Sequence, residues 1–177
     1  MRENSICLIA IAAIVVLLPA APSRAAESLS RKPGQWEVKT SIANAPTQLV
    51  RQCIDAATDE MLQSSAGPFN AAACPQRNVQ RLANETSIDS VCTFAGKPAT
   101  AHAVVVGSLD SAYTMTVTAR SEALPGGAMT MTMEAKWLGP CTADQKPGDI
   151  VLSNGTKINV PDALQRMHLP TNPINQR

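Results

Sequence analysis

The sequence predicts one α+β domain that is mostly β: a curved antiparallel sheet, a meander of about seven strands, packed on one main helix and held by two disulfides. Three observations carry that prediction. Residues 113–119 and 129–137 alternate apolar and polar side chains with the period of two expected of a half-buried strand. Turn-forming residues separate these runs from similar ones on both sides, whereas the helix signals concentrate in 55–67. Four cysteines remain once the N-terminal leader is set aside, and an even number in an exported chain reads as a disulfide frame.

The leader is residues 1–25. Arg2 gives it a positive start, Ile6 to Leu18 is an apolar run ended by Pro19, and Ser23-Arg24-Ala25 offers small residues where a signal peptidase reads. A membrane-spanning helix needs roughly 20 apolar residues, more than this run supplies. Cys7 heads the apolar run without the small-residue approach of a lipoprotein site. Cleavage after Ala25 predicts a periplasmic or secreted protein with no stable membrane anchor. The domain is then 26–170, followed by a disordered tail over 171–177.

Without residues 1–25 the charges balance, because two arginines and one glutamate leave a chain whose net charge is +1. A neutral surface with no basic run offers no electrostatic footprint for nucleic acid.

The elements come in this order. Residues 32–42, KPGQWEVKTSI, open on a turn and become a strand with Trp36, Val38 and Ile42. TQLVRQCI at 47–54 is a second strand. A helix comes next, with Asp55 as N-cap, Asp59 and Glu60 early, and Gly67-Pro68 as its stop. Residues 76–83 suit one more strand. From 87 to 137 the pattern is a four-stranded meander: SIDSVCTF, the loop AGKP, the Val104–Val106 strand, the turn at Asp110-Ser111, the Tyr113 strand, LPGG, and the Met129 strand. On the last two strands Tyr113, Met115, Val117 and Ala119, and Met129, Met131, Met133, Ala135 and Trp137, form the dry face. DIVLSNGTKINV at 149–160 reads as a hairpin turning at Asn154-Gly155, and Pro161 opens one or two helical turns over 161–167.

The cysteines of the frame are Cys53, Cys74, Cys92 and Cys141. They permit three pairings, and proximity in sequence favours Cys53–Cys74 and Cys92–Cys141. In WLGPC, the corner after Trp137 ends a strand and its cysteine staples it.

Five segments taken in order resemble one known family: KPGQWEVKTSI, RQCIDAATDEML, DSVCTFAG, LDSAYTMTVTAR and EAKWLGPCTADQKPGD. They are similar to domain of unknown function 3617, small exported proteins of Gram-negative bacteria. The resemblance spans nearly all of 32–160, with WLGPC…KPGD its most specific part. Gln35 stands where the family pattern suggests leucine. The resemblance implies export and four structural cysteines, and it implies no catalytic residues.

Chemistry-bearing residues are few. Met115, Met129, Met131 and Met133 share a predicted face; thioethers bind Cu(I), but methionine also fills irregular cores. No two cysteines sit two to four apart and both histidines, His102 and His168, are remote from them, so no zinc site is predicted, nor a Cys-x-x-Cys redox pair. A general base needs a partner in reach, and neither a Gly-x-Ser-x-Gly elbow, a His-Glu-x-x-His pair nor a glycine-rich phosphate loop occurs. No cofactor is predicted. The sequence therefore predicts a non-catalytic, disulfide-stabilised envelope protein. The alternative is a periplasmic carrier, holding a small apolar ligand or Cu(I) on the methionine-lined face.

Overall fold

The computed structural model describes residues 29–43, 45–65, 70 and 72–168. The leader (1–25), the Gly67-Pro68 helix stop and the tail (171–177) lie outside the described residues.

Among the described residues, nine strands and two α-helices succeed one another as β1 (Gly34–Ile42), β2 (Gln48–Ile54), α1 (Ala56–Ser65), β3 (Gln76–Arg81), β4 (Glu85–Phe94), β5 (Lys97–Ser108), β6 (Ala112–Ser121), β7 (Ala128–Gly139), β8 (Asp149–Leu152), β9 (Lys157–Asn159) and α2 (Val160–His168). All strands join one sheet in the order β3-β4-β5-β6-β7-β1-β2-β8-β9, and every pairing is antiparallel. The sheet has nine strands where the sequence predicts about seven. The edge strands β3 and β9 fall within the segments 76–83 and 149–160 that the sequence reads as a strand and a hairpin, so the higher count adds no new strand segment.

The meander from β4 to β7 is the one the alternation predicts. Its turns obey local chemistry. Between β4 and β5, Ala95 and Gly96 both have positive φ (48° and 74°), as a two-residue type I′ turn requires. Between β6 and β7, Pro125 precedes Gly126 at φ 68°, and Gly127 N–H donates to the Leu124 carbonyl at 2.9 Å, closing a tight turn. β1 is first in the chain yet lies between β7 and β2, so the sheet is completed by a long-range pairing. Central placement explains why Trp36 and Val38 are 0% and 2% exposed.

Register puts one side chain in two on a common face. Across the middle, Val105 opposes Met115, Met115 opposes Met133, and Met133 opposes Thr40; one pleat along, Ala103, Val117, Met131 and Ile42 line up. Two core clusters sit on that face. One gathers Trp36, Val38, Ile54, Val105, Tyr113 and Ala135 under Leu62 of α1. The other gathers Ala99, Ala101, Val117, Ala119 and Leu124 around Cys74 and Cys92. Helix α1 starts where predicted: Asp55 Oδ1 accepts the Thr58 N–H at 2.8 Å, and Thr58 Oγ1 accepts the Asp55 N–H at 2.9 Å.

The frame has two disulfides, but the pairings differ from those predicted. Cys53 joins Cys141, and Cys74 joins Cys92. Strand order gives the reason. Gln35 of β1 pairs with Cys53 on one side and Gly139 on the other, so the chain two residues beyond Gly139 crosses the start of β1 to reach Cys53. Cys74 lies just ahead of β3, and Thr93 N–H donates to the Ala73 carbonyl, which puts Cys74 beside Cys92. The predicted Cys92–Cys141 bond would have to span from β4 to the end of β7, three strand spacings or about 14 Å. A disulfide cannot bridge Cα atoms more than about 7 Å apart without backbone movement.

Candidate functional site

Three places gather side chains with chemical potential: the closed end of the sheet, the methionine face, and a polar cleft beside β8 and β9.

At the closed end, Trp36 and Trp137 are paired neighbours on β1 and β7. The Trp36 indole N–H donates to the Lys32 carbonyl (2.8 Å), and that of Trp137 to the Pro33 carbonyl (3.1 Å). The Lys32 ammonium stands 3.8 Å from the centroid of the Trp137 ring. Tyr113 packs against Trp36 with ring centroids 5.8 Å apart, and burial pushes its phenol pKa up. Behind these rings is a buried ion pair. Arg31 (8% exposed) and Asp59 (1%) meet through Arg31 Nε at 2.8 Å and its terminal nitrogen at 2.8 Å. The Arg31 backbone N–H donates to the other Asp59 oxygen at 2.7 Å, and Gln63 donates to it at 3.0 Å. The remaining Arg31 nitrogen donates to Gln52 at 3.0 Å. The network is satisfied on every side, which suits a clamp holding α1 against the sheet.

The methionine face joins the two clusters. Met115 packs against both, Met133 against the first, and Met129 and Met131 against the second. All four are half-buried. Register sets Met115 directly opposite Met133 on neighbouring strands, with Met131 two residues along β7 on the same face. Met129 pairs with Ala119, a further step away.

The polar cleft, about 590 Å³, is lined by the loop after β7, by β9 and by α2. Lys146 pairs with Asp162 at 2.9 Å, and Lys157 with Asp144 at 3.1 Å. Burial opposes ionisation of Asp149, yet the Lys146 N–H, the Asn159 amide and the two lysines outweigh it and hold its pKa below the usual carboxylate value. Hydrogen bonds from Thr142 and Lys157 lower that of Asp144. The opposed charges answer one another inside the cleft.

His102 is exposed on the wet face, where Nδ1 lies 2.7 Å from Asp89 Oδ1 across the β4–β5 ladder. The carboxylate orients the ring, and Thr118 is the next residue in the same cross-strand row. The side chain of His168 lies outside the described residues. Among the described residues there is no cluster of three or more metal-ligating His, Cys, Asp or Glu side chains.

Sequence reasoning missed the Arg31–Asp59 pair. Asp59 in a helical first turn reads as a dipole-favoured surface acid, and nothing in the pattern marks Arg31 as its partner. It noted Gln35 only as a departure from the family pattern, whereas the Gln35 amide donates to the Gln145 side chain at 2.8 Å and so ties the KPGQW turn to the KPGD loop.

Comparison with known families fits this frame. The family model described as a protein of unknown function (DUF3617) matches residues 31–141, a shorter span than the resemblance over 32–160. No curated protein and no solved structure matches the chain. The matched segment is more than half of the chain, begins at Arg31 and ends at Cys141, and so contains both core clusters and both disulfides. The chain belongs to the DUF3617 family, whose function is not known.

Proposed function

We propose that this is an exported, non-catalytic protein of the cell envelope, periplasmic or secreted. The observation that carries the reading is the pairing of Cys53, Cys74, Cys92 and Cys141 in two disulfides, bonds that persist in oxidising compartments and are rare elsewhere. The leader read over residues 1–25 supplies the route. The polar groups suit a structural frame: among the described residues, no buried side-chain nitrogen or oxygen lacks a hydrogen-bond partner. The test is cell fractionation with intact-mass and thiol analysis. The reading expects a periplasmic or secreted chain starting at Ala26 with no free thiol. A cytoplasmic chain, or four free thiols in the exported one, refutes it.

A second reading is a carrier that uses the methionine face. The half-burial of Met115, Met129, Met131 and Met133 between two closed clusters favours it. Native mass spectrometry of protein purified from periplasm would detect a retained apolar molecule or copper ion; an apo mass under native conditions counts against a carrier.

A further inference from the structure

We propose that Met115, Met131 and Met133 form a thioether site for a soft monovalent cation, Cu(I). The proposal rests on the carrier reading and names its ligand class.

Register supplies the geometry. Met115 and Met133 are directly paired across β6 and β7. Side chains so placed have Cβ atoms about 4.5–5.5 Å apart. Met131 lies two residues from Met133, about 6.8 Å along the same strand face, and diagonal to Met115 at about 7–8 Å. An unbranched methionine side chain turns about three bonds, so three sulfurs based on so small a triangle can converge on one point.

Local composition sharpens the argument. β-Branched residues suit strands best, and the same cross-strand rows use them on other strands: Val105 opposes Met115, Val117 opposes Met131, and Ile42 lies on the other side of Met131. β7 instead places methionine at three successive positions of that face. The three thioethers are half-buried, which leaves an ion a way in and a low-dielectric setting around it. The polar cleft beside β8 and β9 is lined by none of the three methionines. A single ion needs converging sulfurs and no chamber.

Ligand chemistry fixes the metal. Thioethers are soft and uncharged, and they select Cu(I) over the harder divalent ions. All four frame cysteines are in disulfides and withdrawn from competition. The methionines therefore hold the soft donors that remain on this face.

The test is anaerobic titration of the purified, oxidised chain with Cu(I) against a chromophoric chelator. Ascorbate keeps the copper reduced and spares the disulfides, which a thiol assay verifies. The wild type is expected to take up one Cu(I) per chain. Met133→Leu should weaken binding more than about tenfold, because even outer-shell partners of a metal site are worth roughly 10–100-fold. Met115→Leu/Met131→Leu/Met133→Leu should abolish it, and Met61→Leu, on α1, should bind like the wild type. Leucine conserves core volume, and circular dichroism checks each fold. Wild-type ¹³C-methyl-methionine spectra need no variant: Cu(I) should shift three methionine signals at one equivalent. No uptake by the wild type, uptake unchanged in the triple variant, or equal loss in Met61→Leu overturns the proposal. Titration of purified protein reports on the site itself, whereas native mass spectrometry of protein from the periplasm reports on what the chain carries in the cell, so the proposal and the carrier reading fail separately.

Discussion

Removing Cys53–Cys141 should cost more stability than removing Cys74–Cys92, and loop length sets the difference. The two bonds span 88 and 18 residues. The chain-entropy relation gives about 4.6 kcal/mol at 25 °C for the longer loop and about 3.2 for the shorter. Because Cys74–Cys92 lies inside the longer loop, it shortens the path to about 70 residues when intact, which lowers the first figure only to about 4.4 kcal/mol, since the dependence is logarithmic. The assay is urea unfolding of the oxidised mature chain and of the variants Cys53→Ala/Cys141→Ala and Cys74→Ala/Cys92→Ala. With a slope of about 2 kcal/mol/M, the midpoints should fall by about 2.2 M and 1.6 M. The rival account ties the cost to packing around the sulfurs. Cys74 and Cys92 are both buried (2% and 3%), whereas Cys141 is half-buried beside a fully buried Cys53. If packing governed, the short bridge would cost as much as the long one or more. That ordering, or equal midpoint shifts, refutes the entropic reasoning.

Three further outcomes concern the closed end of the sheet. Asp59→Ala leaves the buried Arg31 guanidinium without its carboxylate and should cost about 3–5 kcal/mol, whereas Arg31→Met/Asp59→Leu should cost clearly less; equal losses in urea unfolding would contradict the clamp. Gly34→Ala should lower stability by about 3 kcal/mol or more, because φ is +133° and an added Cβ would run into the Gly139 carbonyl and come within 2.6 Å of Trp137 Nε1; a wild-type melting temperature would disprove that close approach. Asp55→Ala removes the α1 cap and should cost about 1 kcal/mol near neutral pH. The Thr58 N–H and hydroxyl hold the Asp55 pKa below its ordinary 3.8, so this stabilisation is present above that value and disappears as pH falls through the lower folded pKa. The gap between wild type and Asp55→Ala should therefore close in acid, and a gap independent of pH down to about 2 would contradict the assignment.

Alternation made the β4–β7 meander legible, because a sheet with one dry face writes its period directly into residues 113–119 and 129–137. The N-cap at Asp55 was legible for a similar reason: a cap is a contact over three residues. Disulfide connectivity was not. Sequence proximity favours Cys53–Cys74, but β2 lies at the far side of the sheet from β3, because β1 inserts between β7 and β2. That insertion is a long-range choice and leaves no local mark. The Arg31–Asp59 pair was hidden for the same reason, since its partners are 28 residues apart and meet only once β1 is in place. On the methionine face the residues were legible, but the direct opposition of Met115 and Met133 needed the register.

The limits of the family match sharpen the physical picture. Its first residue, Arg31, bonds to Gln52 and Asp59, and its last, Cys141, bonds to Cys53. Both ends therefore fasten to the same junction, where β2 gives way to α1. A sheet whose first strand must sit beside its last meander strand gains most from a lock at that point, because β1 meets β2 through a short turn but meets β7 only from the far end of the meander. The chain beyond Cys141 attaches to this lock from outside. Gly148 N–H donates to the Cys53 carbonyl, Val160 N–H to the Gly148 carbonyl, and β8 pairs along β2. Without β8 and β9, the seven-residue β2 would present a free edge beside the exposed Leu49, a ready template for another chain. With them the edge is β9, three residues long and succeeded at once by α2, which gives a neighbouring strand almost nothing to pair with.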